Sequence, residues 1–249
     1  MATYASSAFD GIAAEYDTVW TNSAIGRHQR QAVWRHLDPL VRNGDTILDL
    51  GCGTGEDGAH LERLGATVLG IDASHAMVRA ACARGVNAHQ LAIESLSTIG
   101  GHFDGAISNF GALNCVRDLS GVARELARLI RPGGYLAVCL MGPFCVWEIA
   151  YCLYRRDAKR AFRRWRRDGA VASIGVRVQY PSVRHIRNAF SPYFRVVGWL
   201  GIGLCVPPSY VEALPDKVIA RLAALDSYTA SLLLFRSLSD HRLYLFTRS

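Results

Sequence analysis

The stretch Thr46-Ile-Leu-Asp-Leu-Gly-Cys-Gly-Thr-Gly55 decides how this chain folds. Its first five residues are mostly apolar and predict a short buried strand, and the glycines that follow predict a loop. Residues 56–64 then predict a short helix that stops at Gly65. In such a strand–loop–helix unit, glycines let the backbone approach a ligand closely and the helix N-terminus presents free N–H groups. The unit therefore predicts a ligand-binding loop.

Strand-like and helix-like segments alternate on both sides of this loop. The predicted strands are residues 67–71, with Asp72 at the end, then 86–91, 103–108, 135–140, 194–200 and 243–247. The predicted helices include residues 74–83, for which Ser74 is a suitable N-cap, and 119–130, for which Asp118 is. Strands that are apolar on both faces and alternate with helices are typical of a parallel sheet covered by helices on both sides. We therefore expect an α/β fold.

Composition narrows the class of protein. Half of the 249 residues are apolar and a fifth are charged, which favours a packed globule and excludes a disordered chain. The longest apolar stretch, residues 135–154, is interrupted by Gly142, Pro143 and Glu148, so it predicts a strand, a break and a helix rather than a membrane span. The first ten residues are polar and do not resemble a secretory signal.

The seven cysteines lie at positions 52, 82, 115, 139, 145, 152 and 205. Because their number is odd and no two are spaced as Cys-x-x-Cys, they predict neither a disulfide framework nor a zinc site. Small buried apolar roles in a reducing compartment suit them better. We therefore expect a cytoplasmic protein without a bound metal.

Two acidic residues sharpen the prediction for the glycine loop. Asp49 lies two residues before Gly51, and Asp72 ends the next strand 21 residues after Gly51. An acidic side chain at that strand end accepts hydrogen bonds from both hydroxyls of a ribose, which predicts a nucleoside ligand. A dinucleotide fits poorly, because the last position of its fingerprint is Glu56, whose charge would lie beside the pyrophosphate. A cofactor with an ammonium group and no phosphate, such as S-adenosylmethionine, suits both carboxylates better; the alternative is a tight turn that binds nothing.

Four motifs together resemble the class I S-adenosylmethionine-dependent methyltransferases. They are residues 47–55, 68–74 with Met77, 103–108 and 129–134. Residues 9–17 resemble the entry helix of the small-molecule branch of that family, near the quinone-biosynthesis methyltransferases. The resemblance covers residues 8–141 well and the last two strands loosely. It implies a Rossmann-like, seven-stranded, mostly parallel sheet whose last strand is antiparallel, with helices on both faces.

The resemblance also implies a single methyltransferase domain over residues 1–249. Residues 1–45 would form an N-terminal helical cap and residues 46–141 the cofactor-binding core. Residues 142–192 would form an α-helical lid, inserted after the fifth strand where the family places residues that meet the acceptor. Residues 193–249 would supply the C-terminal strands and helices.

Along the glycine loop, the resemblance implies contacts to the methionine end of S-adenosylmethionine. They would come from Asp49, Gly51, Cys52, Gly53 and Gly55. Asp72 would hold the ribose. The remaining implied contacts are Ala73, Met77 and Ile93 at the adenine, Ser108 and Asn109 below the methyl group, Tyr16 over the cofactor and Arg27 at its carboxylate.

The chain departs from the family at the adenine amine. Many members carry an acidic residue there, in a Gly-Asp pair after the third strand, and this chain has Ala92 instead. Either Glu94 or the backbone alone is left to bind the adenine amine.

No residue stands out as a catalytic base. A methylsulfonium is already an activated donor, so an enzyme of this kind mainly has to hold a nucleophile in line behind the methyl group. A base is optional for amines, thiols and ionised phenols and useful for alcohols and carbons. Among the eight histidines we find no His–Asp pair at a telling spacing. The candidates near the expected acceptor site are His28, Tyr180, His185 and Tyr210, each of which also fits a packing or surface role.

The net charge of +7 belongs to one segment. Residues 155–167 contain eight basic residues and one acidic residue, Asp157, so the rest of the chain sums to zero. Apolar residues at positions 151, 154, 158, 161, 162 and 165 recur at helical spacing. This pattern predicts one helix with an apolar stripe and arginines on the rest of its surface.

Three interpretations of this basic segment stay open. It could be a lid whose stripe packs on the core while the arginines stay solvated. It could be a helix on a membrane surface, where arginines meet lipid phosphates and aromatic residues lie at the interface. It could also bind an anionic acceptor, including RNA, although no separate basic domain or RNA-binding motif accompanies it and nucleic acid is therefore disfavoured. The apolar residues among 201–208 favour an apolar or amphipathic small molecule.

The function predicted from the sequence is methyl transfer from S-adenosyl-L-methionine to a small, apolar or amphipathic acceptor by in-line displacement. An RNA methyltransferase that uses the basic residues 151–167 is the enzymatic alternative. A protein that binds S-adenosylmethionine without transferring its methyl group is the non-enzymatic alternative. We expect a cytoplasmic location, with peripheral contact to an anionic membrane through residues 151–167 as one interpretation.

Overall fold

A seven-stranded sheet runs through the computed structural model of this chain, which describes residues 8–210, 214–233 and 235–249. The strands of this sheet are β1 (Thr46–Leu50), β2 (Thr67–Asp72), β3 (Asn87–Gln90), β4 (Phe103–Ser108), β5 (Ile130–Met141), β8 (Phe194–Ile202) and β9 (His241–Arg248). Two short strands, β6 (Ala170–Val171) and β7 (Arg177–Val178), pair with each other in a separate hairpin.

The order of the strands across the sheet is β3–β2–β1–β4–β5–β9–β8. Strands β1 to β5 pair in parallel, while β9 is antiparallel to both β5 and β8. The order reverses between β1 and β4, which opens a crevice beyond the carboxyl ends of these strands, where parallel α/β sheets bind ligands. The predicted Rossmann-like fold class, with its antiparallel last strand, is confirmed.

The helices are α1 (Ala13–Tyr16), α2 (Ala24–Leu37), α3 (Glu56–Arg63), α4 (His75–Ala83), α5 (Leu119–Leu129), α6 (Val146–Tyr154), α7 (Ala158–Ala161), α8 (Val183–Phe190) and α9 (Asp216–Thr229). Both N-caps predicted from the sequence are present. The Ser74 hydroxyl accepts a hydrogen bond from the N–H of Met77 at 3.1 Å, and the Asp118 carboxylate accepts one from Gly121 at 2.9 Å. In the described parts of the chain, no helix is long and apolar enough to cross a membrane.

Apolar side chains cover both faces of the sheet. On one face, Leu126 of α5 belongs to the same buried cluster as Leu136 of β5 and Phe246 of β9. On the other face, Leu37 of α2 is buried in a cluster with Ile47 of β1. Burial on both faces explains why the central strands read as continuous apolar runs.

Four strands have bounds that differ from the sequence prediction. Strands β8 (Phe194–Ile202) and β9 (His241–Arg248) are longer than the predicted residues 194–200 and 243–247. Strand β5 begins at Ile130 rather than at residue 135, because Ile130 already pairs with Phe103 of β4. The pairing continues past an irregularity between Phe103 and Gly105, so the Pro-Gly-Gly sequence lies inside the strand. Strand β3 covers only Asn87–Gln90 of the predicted residues 86–91.

The basic segment is not one helix, which corrects the sequence prediction. Helix α6 ends at Tyr154, and Arg156 then adopts a φ of 59°, a left-handed conformation that interrupts a helix. Asp157 caps the separate helix α7 by accepting a hydrogen bond from the N–H of Arg160 at 2.9 Å. The predicted stripe is therefore divided: Tyr154 and Trp165 are 85% and 51% exposed.

Gly55→Ala is expected to destabilise the fold at the glycine loop. Gly55 has a φ of 80°, and a Cβ atom there would lie 2.9 Å from the Cβ of Ala81 on α4. We expect overpacking to lower the free energy of unfolding by about 1–3 kcal/mol beyond the effect of backbone strain. Gly101→Ala is the matched control, because Gly101 has a φ of 85° and an added Cβ would meet no atom within 4 Å. Urea denaturation measures both losses, and equal losses would contradict this packing argument.

Candidate functional site

A cavity of about 340 Å³ lies beyond the carboxyl ends of β1, β2 and β4. The glycine loop after β1 contributes Gly51 and Gly53, and β2 contributes Asp72. Asn109 and Phe110, directly after β4, form part of the opposite wall. We call this space the cofactor cavity. No group of three or more His, Cys, Asp or Glu residues that could hold a metal ion occurs in the described ranges.

Asp72 joins the glycine loop to the end of β2. Its Oδ2 accepts a hydrogen bond from the N–H of Gly53 at 2.9 Å, and its Oδ1 accepts one from the N–H of Ser74 at 2.9 Å. Burial raises the pKa of Asp72, although these two N–H donors oppose the shift. Because a carboxylate oxygen can accept more than one hydrogen bond, Asp72 can still receive two ribose hydroxyls from the cavity.

The glycine loop is shaped for close approach of a ligand. The N–H groups of Gly51 and Cys52 both donate to the carbonyl of Ile71, at 2.8 and 2.9 Å, which fixes the loop against β2. Gly53 has a φ of 54°, and a Cβ atom there would meet no protein atom within 4 Å. Since Gly53 also lines the cavity, this stretch of backbone is open to a bound molecule.

Asp49 is a buried carboxylate on β1 close to the loop. Its Oδ2 has no hydrogen-bond partner among the described residues. Burial raises the pKa of Asp49 well above its ordinary value, Asp57 and Asp72 raise it further, and Arg30 opposes them. A buried carboxylate without a partner is costly unless a positive group compensates it. The site therefore fits a ligand that carries an ammonium group.

Most of the cofactor residues predicted from the sequence line this cavity. They are Tyr16, Gly51, Gly53, Asp72, Ala73, Met77, Ile93 and Asn109. Ala92 and Glu94, the two residues considered for the adenine amine, line it as well. The sequence motifs thus identify the walls of one continuous cavity.

Five predicted residues do not line the cavity, and three of these support its walls. Cys52 lies against Gly70, where an added Cβ would be 2.9 Å from the Cys52 Sγ, and Gly55 lies against α4. The hydroxyl of Ser108 donates to the carbonyl of Leu50 at 3.0 Å, which joins β4 to β1. Asp49 is buried beside these residues, as described above.

The placement of Arg27 corrects the sequence prediction. Arg27 lies on α2, and its side chain is 52% exposed. Its guanidinium donates to the carbonyl of Asn22 and lies 3.9 Å from the carboxylate of Asp216. Because α2 directs this side chain toward α9, Arg27 does not contact the cofactor cavity.

A second cavity, of about 500 Å³, adjoins the first. Both cavities are lined by Tyr16, Phe110, Met141 and Ile174, so these residues separate the two spaces. Its remaining walls combine apolar side chains of the N-terminal helices with a polar group, of which the sequence had singled out Tyr210 as an acceptor-site candidate but not Asp240 or His241. This polar group consists of Arg163, Arg164, Tyr210, Asp240 and His241. We call this space the acceptor cavity.

Buried ion pairs between arginine and carboxylate side chains lie next to the acceptor cavity. The Arg164 Nη2 lies 2.8 Å from Glu148 Oε2 and 2.6 Å from Asp240 Oδ1, while Arg163 Nε lies 2.6 Å from Glu148 Oε1. Burial alone would raise the pKa of Glu148, but Arg163 and Arg164 lower it. Two carboxylates thus balance two guanidinium groups. Arg163 and Arg164 serve the interior, not the solvated surface that the sequence predicted for them.

The four candidate catalytic residues do not meet around the cofactor cavity. Tyr210 lines the acceptor cavity, where its hydroxyl donates to Glu148 Oε2 at 2.8 Å. Tyr180 and His185 line a separate groove rich in arginine. His28 lines another cavity, between α2 and α9.

Asp240 and His241 form a His–Asp pair that sequence reasoning overlooked. The His241 Nδ1 lies 3.2 Å from Asp240 Oδ2. The two residues are consecutive at the start of the last strand. The Asp-His dipeptide was therefore the feature of the sequence that could have identified this pair.

Comparison with known proteins identifies the central part of the chain. Residues 48–138 match the family model described as a methyltransferase domain. The demethylmenaquinone methyltransferase of Corynebacterium kroppenstedtii is 35% identical over 133 residues, which cover 53% of this chain and 57% of that protein. The demethylmenaquinone methyltransferase of Mycobacterium marinum is 36% identical over 135 residues, with coverages of 53% and 57%. The chain therefore spans little more than half the length of these curated relatives.

A solved structure shares the fold over almost the whole chain. The S-adenosylmethionine-dependent methyltransferase of Mesorhizobium loti aligns with a TM-score of 0.60 and 21% identity, over 87% of this chain and 98% of that one. At this identity the likeness establishes the fold. Together with the domain match, these findings confirm the resemblance to class I methyltransferases of the quinone-biosynthesis type, and S-adenosylmethionine as the cofactor of that domain.

Asp49→Asn is expected to stabilise the ligand-free protein at neutral pH. Because the pKa of Asp49 is raised in the folded state, the stability associated with this carboxyl is present at acidic pH and is lost as the pH rises through the raised value. Asparagine does not ionise and avoids that loss. Urea unfolding at about pH 5 and about pH 8 measures the free energy of unfolding of both proteins. The difference in favour of the variant should be larger at the higher pH.

Asp104→Asn is the matched control with the opposite sign. Hydrogen bonding from the N–H of Thr46 and the charge of Arg131 lower the pKa of Asp104, although burial opposes them. Its contribution to stability is therefore present at both pH values and is lost only at more acidic pH, so Asp104→Asn should show no gain between about pH 5 and about pH 8. An Asp49→Asn variant whose stability followed the wild type at both pH values would contradict the assignment of Asp49 as an uncompensated buried carboxylate.

Proposed function

We propose that this protein transfers the methyl group of S-adenosyl-L-methionine to a small, apolar or amphipathic acceptor of the quinone type. One observation carries the proposal: within a methyltransferase domain, a single cavity joins an open glycine loop to the carboxylate of Asp72, beside the unpartnered carboxylate of Asp49. The cofactor supplies an activated methyl group. The chain supplies binding, orientation and a cavity for the acceptor.

Most of the cofactor residues follow from the walls of the cofactor cavity. Asp72 accepts hydrogen bonds from the ribose, and Asp49, buried on β1 behind the glycine loop, provides negative charge for the ammonium group. Met77 and Ile93 supply apolar walls for the adenine. Burial raises the pKa of Tyr16 to about 12, so this residue presents a neutral hydroxyl where the two cavities adjoin.

The acceptor cavity suits an apolar ring. Ile12, Trp20, Phe110 and Ile174 contribute apolar or aromatic surface to it, and Trp20 and Phe110 stack edge-on with ring centroids 4.8 Å apart. The curated relatives are named for demethylmenaquinone, and we propose an acceptor of that quinone-type class. Holding such a ring in line behind the methyl group can supply about 7–11 kcal/mol of the barrier.

A membrane surface is the proposed source of this apolar acceptor. Leu153 and Tyr154, directly before the basic segment, and Trp165 within it are 47%, 85% and 51% exposed. Exposed basic residues surround them at Arg155, Arg156 and Lys159. Aromatic side chains next to arginines suit the boundary between lipid headgroups and acyl chains. We therefore propose peripheral contact of residues 151–167 with an anionic bilayer.

Transfer of a labelled methyl group tests the proposed function. Labelled S-adenosylmethionine and the protein are added to a cell extract, which is then divided into lipid, water-soluble small-molecule and RNA fractions. Label is expected in the lipid fraction. Label in RNA would contradict the proposed acceptor class, and cofactor binding without transfer into any fraction would identify a binding protein instead.

Reversing the exposed charges is expected to release the protein from anionic vesicles. Arg155, Arg156 and Lys159 are each changed to glutamate, because Arg163 and Arg164 are bound inside the protein and their reversal would disturb the fold. Each basic residue near an anionic surface contributes about 1 kcal/mol, so we expect binding to weaken at least about tenfold. Co-sedimentation with phosphatidylserine vesicles measures this.

A second triple variant controls for net charge. It changes Arg63, Lys217 and Arg221 to glutamate, which are exposed residues outside the basic segment. This variant is expected to bind vesicles nearly as the wild type does. Equal losses in both triple variants would contradict a specific role for residues 151–167.

A further inference from the structure

His241 lies where the cofactor cavity and the acceptor cavity adjoin. It begins β9 and is paired with Met141 of β5 and Ile202 of β8. Its ring lies edge-on against Phe110, with centroids 5.4 Å apart. Since Met141 and Phe110 line both cavities, a group bound in the acceptor cavity with its reacting atom toward the cofactor would pass beside His241.

Asp240 lies beside the ring of His241. The His241 Nδ1 is 3.2 Å from Asp240 Oδ2, an ion-pair distance without the geometry of a hydrogen bond. Burial alone would raise the pKa of Asp240, but nearby positive charge, including that of Arg164, lowers it, so the carboxylate stays ionised. An ionised carboxylate beside Nδ1 favours the proton on that nitrogen and leaves the lone pair of Nε2 available.

Arg164 fixes the carboxylate of Asp240, which lies beside His241. Its Nη2 lies 2.6 Å from Asp240 Oδ1, and its Nη1 donates to the carbonyl of Asp240 at 3.1 Å. The other side of the same guanidinium is held by Glu148, through Nε at 3.1 Å and Nη2 at 2.8 Å. Because Arg164 occupies Oδ1, the remaining oxygen of Asp240 is turned to the imidazole.

The other charged and titratable groups near His241 do not suit the role of a base. Those that line the same cavity are Glu15, Tyr16, Arg163, Arg164 and Tyr210, and Arg30 lies against Phe110. Burial raises the pKa of Tyr16 and Tyr210, so both remain protonated at neutral pH. Glu15 is exposed on α1. Among the described residues that line this cavity, His241 thus contributes the buried imidazole, the side chain that most often serves as a general base.

We propose that His241 is the catalytic base that removes a proton from the methyl acceptor, with Asp240 as a positioning residue. The proposal rests on the proposed function. The nucleophilic atom of the acceptor forms a bond to the methyl carbon while the carbon–sulfur bond of the donor breaks and its electron pair stays on sulfur. The proton of the acceptor passes to Nε2 of His241 and then to solvent. The acceptor is thereby specified as a molecule with a dissociable proton, such as a ring hydroxyl or the ring carbon of a hydroquinone.

Methyl transfer to reduced demethylmenaquinone, used as the probe, tests the role of His241. His241→Gln is expected to lower kcat by about 10²–10⁴-fold, the range that general base catalysis supplies. The wild-type rate should fall toward acidic pH, because a protonated imidazole cannot accept a proton, and the variant should lack this fall. Asp240→Asn should lower kcat without abolishing the pH dependence. The matched control is His102→Gln, since His102 is exposed and precedes β4 at the opposite end of the sheet.

Calorimetry with S-adenosylmethionine separates this proposal from the proposed function. His241→Gln is expected to bind the cofactor within about twofold of the wild type, because His241 does not line the cofactor cavity. A variant that binds the cofactor and transfers methyl groups at the wild-type rate would overturn the assignment of His241 as the base. The proposed function would remain in place. A wild type that neither binds the cofactor nor transfers the methyl group would overturn both.

Nitrogen-15 NMR of the histidine rings gives a readout that needs no acceptor. In the wild type at neutral pH we expect the His241 proton on Nδ1, and in Asp240→Asn we expect this preference to be lost. A wild-type His241 that carries its proton on Nε2 would overturn the proposal, even if the variants prove too unstable for kinetics.

Discussion

One carboxylate, that of Asp72, holds together the two halves of the cofactor cavity. It accepts hydrogen bonds from the N–H groups of Gly53 and Ser74, both at 2.9 Å, so the glycine loop after β1 and the first turn of α4 share one anchor. The carbonyl of Ile71, one residue earlier, receives the N–H groups of Gly51 and Cys52. This loop lies where the strand order reverses beside β1, which is where parallel α/β sheets bind ligands.

Local chemistry made this half of the molecule predictable from its sequence. A strand of five residues, a glycine loop and two helix caps depend on residues close in the chain, and all of them lie where the sequence predicted. The resemblance to the methyltransferase family implied further wall residues, and Tyr16, Met77, Ile93 and Asn109 do line the cofactor cavity. Arg27 lies away from the cavity, since its direction depends on how α2 packs against α9.

The acceptor side depends on partners far apart in the chain, which a single sequence does not reveal. Arg164 reads as one of many surface arginines, yet it is buried between Glu148 and Asp240, which lie 16 and 76 residues away. The left-handed backbone at Arg156 breaks a segment whose apolar spacing predicted one helix. The sequence alone does not show that Asp240 and His241 lie beside Arg164 and next to the two cavities, so it could not identify this pair as part of a site.

Isothermal titration calorimetry of S-adenosylmethionine into the wild type and Asp72→Ala tests the cofactor cavity most directly. The wild type should bind, and the variant should bind at least about tenfold more weakly, which corresponds to about 1.4 kcal/mol for the loss of the ribose acceptor and of the loop anchor. Absence of binding to the wild type, or equal affinity in Asp72→Ala, would contradict the assignment of this cavity to the cofactor.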